Sequence, residues 1–89
     1  MNRLRIQLDT IQGNNIARSK AREVLRDAER FRVIIIDYEH ISEIGQAFAD
    51  EIYRVFQNKH PDIVIQEENM SEGIRFMIER AKTEAKIKR

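Results

Sequence analysis

Residues 33–56 read VIIIDYEHISEIGQAFADEIYRVF, and this stretch decides the fold. It opens with four consecutive aliphatics, Val33, Ile34, Ile35 and Ile36. A run that is apolar on both faces of a strand predicts a central strand covered on both sides. The run stops at Asp37. A polar loop through His40 and Ser42 follows, then a segment of helical periodicity from about residue 44 to 58. Along it, Ile44, Phe48, Ala49, Ile52, Tyr53, Val55 and Phe56 fill an arc of roughly 180° at 100° per residue. An arc that wide predicts contact with both the sheet and a neighbouring helix. Lys59-His60-Pro61 ends the segment, because the residue before proline is driven out of helical backbone.

Outward from this unit, Leu4, Ile6 and Leu8 alternate with Arg3, Arg5 and Gln7, the period-two pattern of an edge strand with one wet face. Gly13-Asn14-Asn15 reads as a turn. Ala17, Ala21, Val24, Leu25 and Ala28 share one face of a helix predicted over residues 17–30, with Asn15 or Ser19 as the N-cap. Ile63, Val64 and Ile65 mark a third strand over residues 62–66. Asn69 and Glu72 have N-cap and N3 spacing, so a last helix is predicted from Met70, burying Met70, Ile74, Met77, Ile78, Ala81 and Ala85. Phe76 falls off that face, near Ile87, which raises self-association through those two residues as an expectation. The order βαβαβα predicts one small α/β sandwich over residues 1–89, with a mostly parallel sheet and right-handed crossovers.

The chain has 89 residues, a net charge of +1 and no cysteine. One small core is all such a length supports. Without cysteine there is no disulfide, thiolate nucleophile or cysteine-ligated zinc. The longest apolar run is far too short for a membrane span, and the first ten residues lack the apolar core of a signal peptide, so a cytoplasmic domain is the expectation. Charge is uneven along the chain: residues 1–30 carry +3, residues 31–66 carry −3 and residues 67–89 carry +1. The central unit is the acidic part, which disfavours polyphosphate ligands.

Sites in open α/β sheets form beyond the carboxyl ends of the strands. Here that edge comprises Asp9, residues 37–45 and residues 66–69. Asp37 at a strand end stands where receiver-like domains carry a phospho-acceptor, which makes it a candidate nucleophile. Carboxylates at strand ends more commonly hold turns. His40 and His60 have no metal-ligand spacing, and Ser42 has no Gly-x-Ser-x-Gly frame, so neither predicts a metal, a cofactor or a catalytic relay. Arg22, Arg26 and Arg30 would form a cationic ridge on a continuous first helix. With acids interleaved and no aromatic platform, a solvated face is the better reading than nucleic-acid binding.

The block Ile44-Gly45-Gln46-Ala47-Phe48-Ala49-Asp50-Glu51, with Arg18-Ser19-Lys20-Ala21 before it and His60-Pro61 after it, resembles STAS-like domains, relatives of anti-sigma-factor antagonists and of sulphate-transporter regulatory domains. The resemblance implies a non-enzymatic, regulatory protein-interaction module of bacterial and archaeal signalling systems, partnered by an ATP-binding, kinase-like protein. It also implies contact through residues 41–51, with Ser42, Gly45, Gln46, Asp50 and Glu51 as the contact residues. In anti-sigma-factor antagonists an Asp-Ser pair opens the helix after the central strand, and the partner kinase phosphorylates that serine. Here the pair is replaced by Gly45-Gln46, which has no hydroxyl, so the phosphoserine switch does not carry over.

Overall fold

The computed structural model describes residues 2–11 and 13–87, with side chains through Glu84. Three strands, β1 (Arg3–Gln7), β2 (Val33–Asp37) and β3 (Val64–Glu68), form a parallel sheet in the order β1-β2-β3. Val33 pairs with Arg3 on one side and Val64 on the other, and Asp37 with Gln7 and Glu68. The aliphatic run is therefore the central strand, as its composition predicts. The third strand starts two residues later than its apolar pattern suggests.

Coverage of β2 departs from expectation. Ile34 and Ile36 are buried beneath helices, but Val33 and Ile35, on the other face, are only half-buried. Strands laid down in sequential order with right-handed crossovers put both crossover helices on one face. No described element covers the opposite face, where Arg3, Arg5, Gln7, Val64, Gln66 and Glu68 flank the two aliphatics. The structure is thus two layers, with the core between Leu8, Ile34, Ile36, Tyr38 and the helices.

The first helix, α1 (Arg18–Val24), is shorter than its periodicity suggests. Asp27 adopts left-handed backbone, with φ of 63°, and a 3-10 turn, Ala28–Arg30, follows. Ala21, Leu25 and Ala28 are still buried because the break keeps their side chains on the core. Ala17 occupies the N-cap without a side-chain hydrogen bond, so neither Asn15 nor Ser19 caps the helix. The break also removes the expected ridge, since Arg26 and Arg30 no longer share a helix with Arg22.

The second helix, α2 (residues 46–59), begins as Gln46–Asp50, passes through a π-helical stretch, Glu51–Phe56, and closes as Gln57–Lys59. Within it the Gln57 N–H reaches back to the Ile52 carbonyl. Residues Phe48 through Tyr53 are all buried, because α2 is flanked by α1 and α3 and backed by the sheet. The last helix, α3 (Glu72–Ile87), starts two residues after the expected point. The Ser71 hydroxyl accepts the Ile74 N–H and is the cap. Asn69 instead takes left-handed backbone and turns its amide toward Asp37. Ile74, Ile78 and Ala81 are buried and Met70 and Met77 half-buried, while Phe76 is 65% exposed. Ala85 and Ile87 lie beyond the described side chains.

The tightest constraint on this assembly is Gly45. A Cβ built there would stand 2.5 Å from the Ile16 carbonyl oxygen and 2.7 Å from its Cα. Both contacts are backbone, so relief requires moving the loop. Gly45→Ala is expected to destabilise the fold by about 1–3 kcal/mol, read from a shifted urea midpoint at unchanged slope; an unchanged midpoint would show that the loop yields freely.

Candidate interaction site at the carboxyl edge of the sheet

Two loops meet at the carboxyl edge of β1 and β2. The first, residues 8–17, is built from its own polar side chains. The Asp9 carboxylate accepts the Ile11 N–H at 2.9 Å and the Asn14 amide at 2.8 Å, and the Asn15 amide donates to the Asp9 carbonyl at 2.7 Å. Those bonds, the Ile11 N–H first and Asn14 second, hold the Asp9 carboxyl below its usual range, with Lys20 adding to the effect. Gly13, with φ of 90°, supplies the reversal. The loop is then sewn to α2 by two backbone bonds: the Gly45 N–H donates to the Asn15 carbonyl at 2.9 Å and the Phe48 N–H to the Ile16 carbonyl at 3.1 Å. The latter two carbonyls satisfy donors that a helix N-terminus leaves open.

The second loop, residues 38–45, descends from Asp37. That side chain is 4% exposed and surrounded by donors. One oxygen accepts the Asn69 amide at 2.9 Å and the Glu39 N–H at 3.0 Å; the other faces Arg5 at 3.2 Å and Gln7 at 3.5 Å. Together they keep its carboxyl below the usual range, with Asn69 the largest cause, then the Glu39 N–H, then Arg5. Asp37 thus ties β1, β2 and the β3–α3 loop together. Tyr38, which the sequence places in the polar loop, is fully buried instead. Its hydroxyl lies 2.7 Å from that of Tyr53 on α2, and burial pushes both phenols up.

The five residues expected to contact a partner divide in two. Ser42 and Gln46 are exposed. The Ser42 carbonyl accepts the Ser71 hydroxyl, while its own hydroxyl has no hydrogen bond among the described residues. Gly45 does admit close backbone approach, but from Ile16 of its own chain. Asp50 and Glu51 are 9% and 7% exposed and face arginines. Arg54, one turn on, binds Asp50 through two nitrogens at 2.6 and 2.7 Å. Arg18 on α1 reaches Asp50 at 2.9 Å and Glu51 at 3.0 Å, and Arg22 reaches Glu51 at 3.3 Å. The acidic pair therefore clamps α1 to α2. The Asp50–Arg54 ion pair, one helical turn apart, lies in the seam between the two helices.

Exposed apolar residues, which the sequence left in a loop without a role, complete the edge. Ile11 is 65% and Ile16 51% exposed, beside His40, Ser42 and Glu43. An isoleucine in a Gly-Asn-Asn loop gives no periodicity, so only the folded loop reveals them as neighbours. Among the described residues, no three His, Asp or Glu are placed to hold a metal ion. No described helix is long and apolar enough to cross a membrane.

A family model described as a STAS-like domain of unknown function (DUF4325) matches residues 20–75. The chain belongs to that STAS-like family. No curated protein and no solved structure matches it significantly. The matched segment runs from within α1 through β2, α2 and β3 into the first turn of α3, so it contains Asp50, Glu51 and Gly45, but Arg18 and the Ile11–Ile16 loop lie before it.

Arginine holds the Asp50 carboxyl below its usual range, Arg54 first and Arg18 next among the arginines, with burial opposing. A depressed native pKa means that the contribution is complete above the unfolded-state value and lost as pH falls through the native one. Asp50→Asn is accordingly expected to lower stability by about 2 kcal/mol near neutral pH and to flatten the acid limb of a stability-against-pH curve below about pH 4. An acid limb unchanged in the variant would remove Asp50 from that role.

Proposed function

We propose that this STAS-like domain is a non-enzymatic, regulatory interaction module that binds a protein partner, an ATP-binding signalling protein, through the carboxyl edge of its sheet. The observation that carries the reading is the exposed pair Ile11 and Ile16 beside Ser42 and Glu43, on a loop bonded to the start of α2, where Gln46 is exposed. Large apolar side chains on a loop fixed by side-chain and backbone bonds have little ordering entropy left to lose on docking. They are also rimmed by polar groups, the arrangement of an interface core with its rim. Gln46, the first residue of α2, presents an amide where anti-sigma-factor antagonists carry a phosphorylated serine, so binding here is not switched by modification at that position. Asp50 and Glu51 support the surface from beneath, by fixing α1 against α2.

Photo-cross-linking from a benzoylphenylalanine at position 46 or 11 in cells is expected to trap one ATP-binding protein, whereas the same group at the exposed position 26 is not. Gln46→Arg and Ile16→Arg are expected to weaken that complex tenfold or more, roughly the loss of one interface anchor. Equal trapping from position 26, or affinity untouched by both substitutions, would overturn the surface.

The competing reading, phosphoryl transfer to Asp37, is disfavoured by the surroundings of its carboxylate. All four neighbours of its carboxylate donate to it, and attack on phosphorus would have to break that set. Intact mass after treatment with acetyl phosphate and magnesium is expected to show no added phosphoryl group; an adduct that Asp37→Asn abolishes would reinstate the nucleophile. Nucleic-acid binding loses its ridge with the break after Val24 and the pairing of Arg22 with Glu51.

A further inference from the structure

A groove of about 380 Å³ lies between α2 and α3, with Arg18 of α1 in its lining. That is within the usual range for a ligand site. Its apolar lining is Ala47 on α2 with Met77 and Ala81 on α3, and beside them stand three arginines, Arg18, Arg54 and Arg80.

Two of these arginines are set in place by a carboxylate that is itself out of water. Asp50, 9% exposed, accepts Arg54 Nε at 2.6 Å and Nη2 at 2.7 Å, and Arg18 Nη1 at 2.9 Å. The same Arg18 nitrogen reaches Glu51 at 3.0 Å. Both oxygens of Asp50 are therefore taken, but the arginines are not exhausted. Nη1 of Arg54, with Nε and Nη2 of Arg18, makes no hydrogen bond among the described residues, and the exposed Arg80 makes none there either. The Arg18 and Arg54 side chains keep 38% and 29% of their surface in solvent while lining the groove, so these donors remain open to a visitor. A guanidinium has five N–H donors and no acceptor, and the surplus here is one of donors.

That surplus specifies the sign of the ligand. A cation would meet three arginines, with only Glu84, exposed on α3, holding unspent lone pairs. An anion finds donors already oriented by Asp50. The lining sets three arginines against Asp50 and Glu84, a net charge of +1. One carboxylate neutralises that charge, whereas a phosphate dianion overshoots it. A planar carboxylate also matches the paired N–H groups along a guanidinium edge. The methylenes of a glutamate have Ala47, Met77 and Ala81 to lie against.

We propose that this groove receives a glutamate side chain of the protein partner, its carboxylate held by Arg18, Arg54 and Arg80. Gln46 lines the groove and also belongs to the interaction surface proposed above, so the groove continues that surface and the assignment rests on that reading.

The test titrates isotope-labelled protein with acetyl-Ala-Glu-Ala-amide and, as the neutral control, acetyl-Ala-Gln-Ala-amide. The glutamate peptide is expected to give saturable shifts of the backbone amides of residues 46, 47, 77, 80 and 81, with the glutamine peptide about tenfold weaker or without effect. Arg80→Gln changes an exposed side chain that makes no hydrogen bond among the described residues. It is expected to weaken saturation about fivefold or more with spectral dispersion retained, while Arg26→Gln, outside the groove, leaves saturation unchanged. No saturable shift at the solubility limit, equal shifts from the glutamine peptide, or binding indifferent to Arg80→Gln would each overturn the groove as a receptor for an acid. Inorganic phosphate saturating the same amides at lower concentration than the glutamate peptide would overturn the carboxylate assignment. Each of these results leaves cross-linking from position 11 to be decided separately, so failure of the groove is distinct from failure of the surface.

Discussion

The contact between Gly45 and the backbone of Ile16 is the constraint on which the functional edge depends. At that point a loop crosses the start of α2 so closely that no side chain fits between them, and the donors freed at the helix N-terminus are satisfied by loop carbonyls. Three consequences follow from one missing Cβ. The loop is held without secondary structure, α1 begins immediately after it at Arg18, and Ile11 and Ile16 are displayed on a loop tied to α2. Loops usually gain mobility from having few such bonds; this one is bonded to itself through Asp9 and to α2 through Asn15 and Ile16.

Buried charge supplies the second layer of constraint. Asp50 and Glu51 lie among Arg18, Arg22 and Arg54, and Asp37 among Asn69, Arg5 and Gln7. Desolvated ion pairs contribute less net stability than their geometry suggests, because removing charge from water offsets much of the attraction. Leaving one partner alone is the costly event, and that asymmetry penalises any packing of α1 on α2 that separates acid from base. That cost favours the packing of α1 on α2 in which each acid faces its arginine.

A two-layer fold of this size has consequences for binding. With helices on one face only, the sheet's other face keeps Val33, Ile35 and Val64 near water, and Arg5 reaches across it to Asp37 and Glu68. The core is continuous only between sheet and helices, so α2 is covered on most of its circumference and six successive residues are buried. The π-helical stretch overlaps that segment at Glu51, Ile52 and Tyr53, where neighbours rather than solvent set the side-chain positions.

The sequence by itself determined the order of elements, the central place of Val33–Asp37, the buried faces of α2 and α3 and the exposure of Phe76. Those features follow from local periodicity and from the aliphatic run, which the chain carries without reference to its partners in space. It also carried the family, through a block centred on Gly45 and Asp50-Glu51. Only the tertiary structure decided that this block works inward: burial and charge pairing depend on which helix lies opposite, and a sequence does not say that Arg18 will face Asp50. The same holds for the one-sided sheet, for the break at Asp27 and for Ser71 replacing Asn69 as the cap. The site is the clearest case. Ile11 and Ile16 come from one loop and Ser42 and Glu43 from the other, and they become neighbours because Gly45 lets one loop rest on the other's helix.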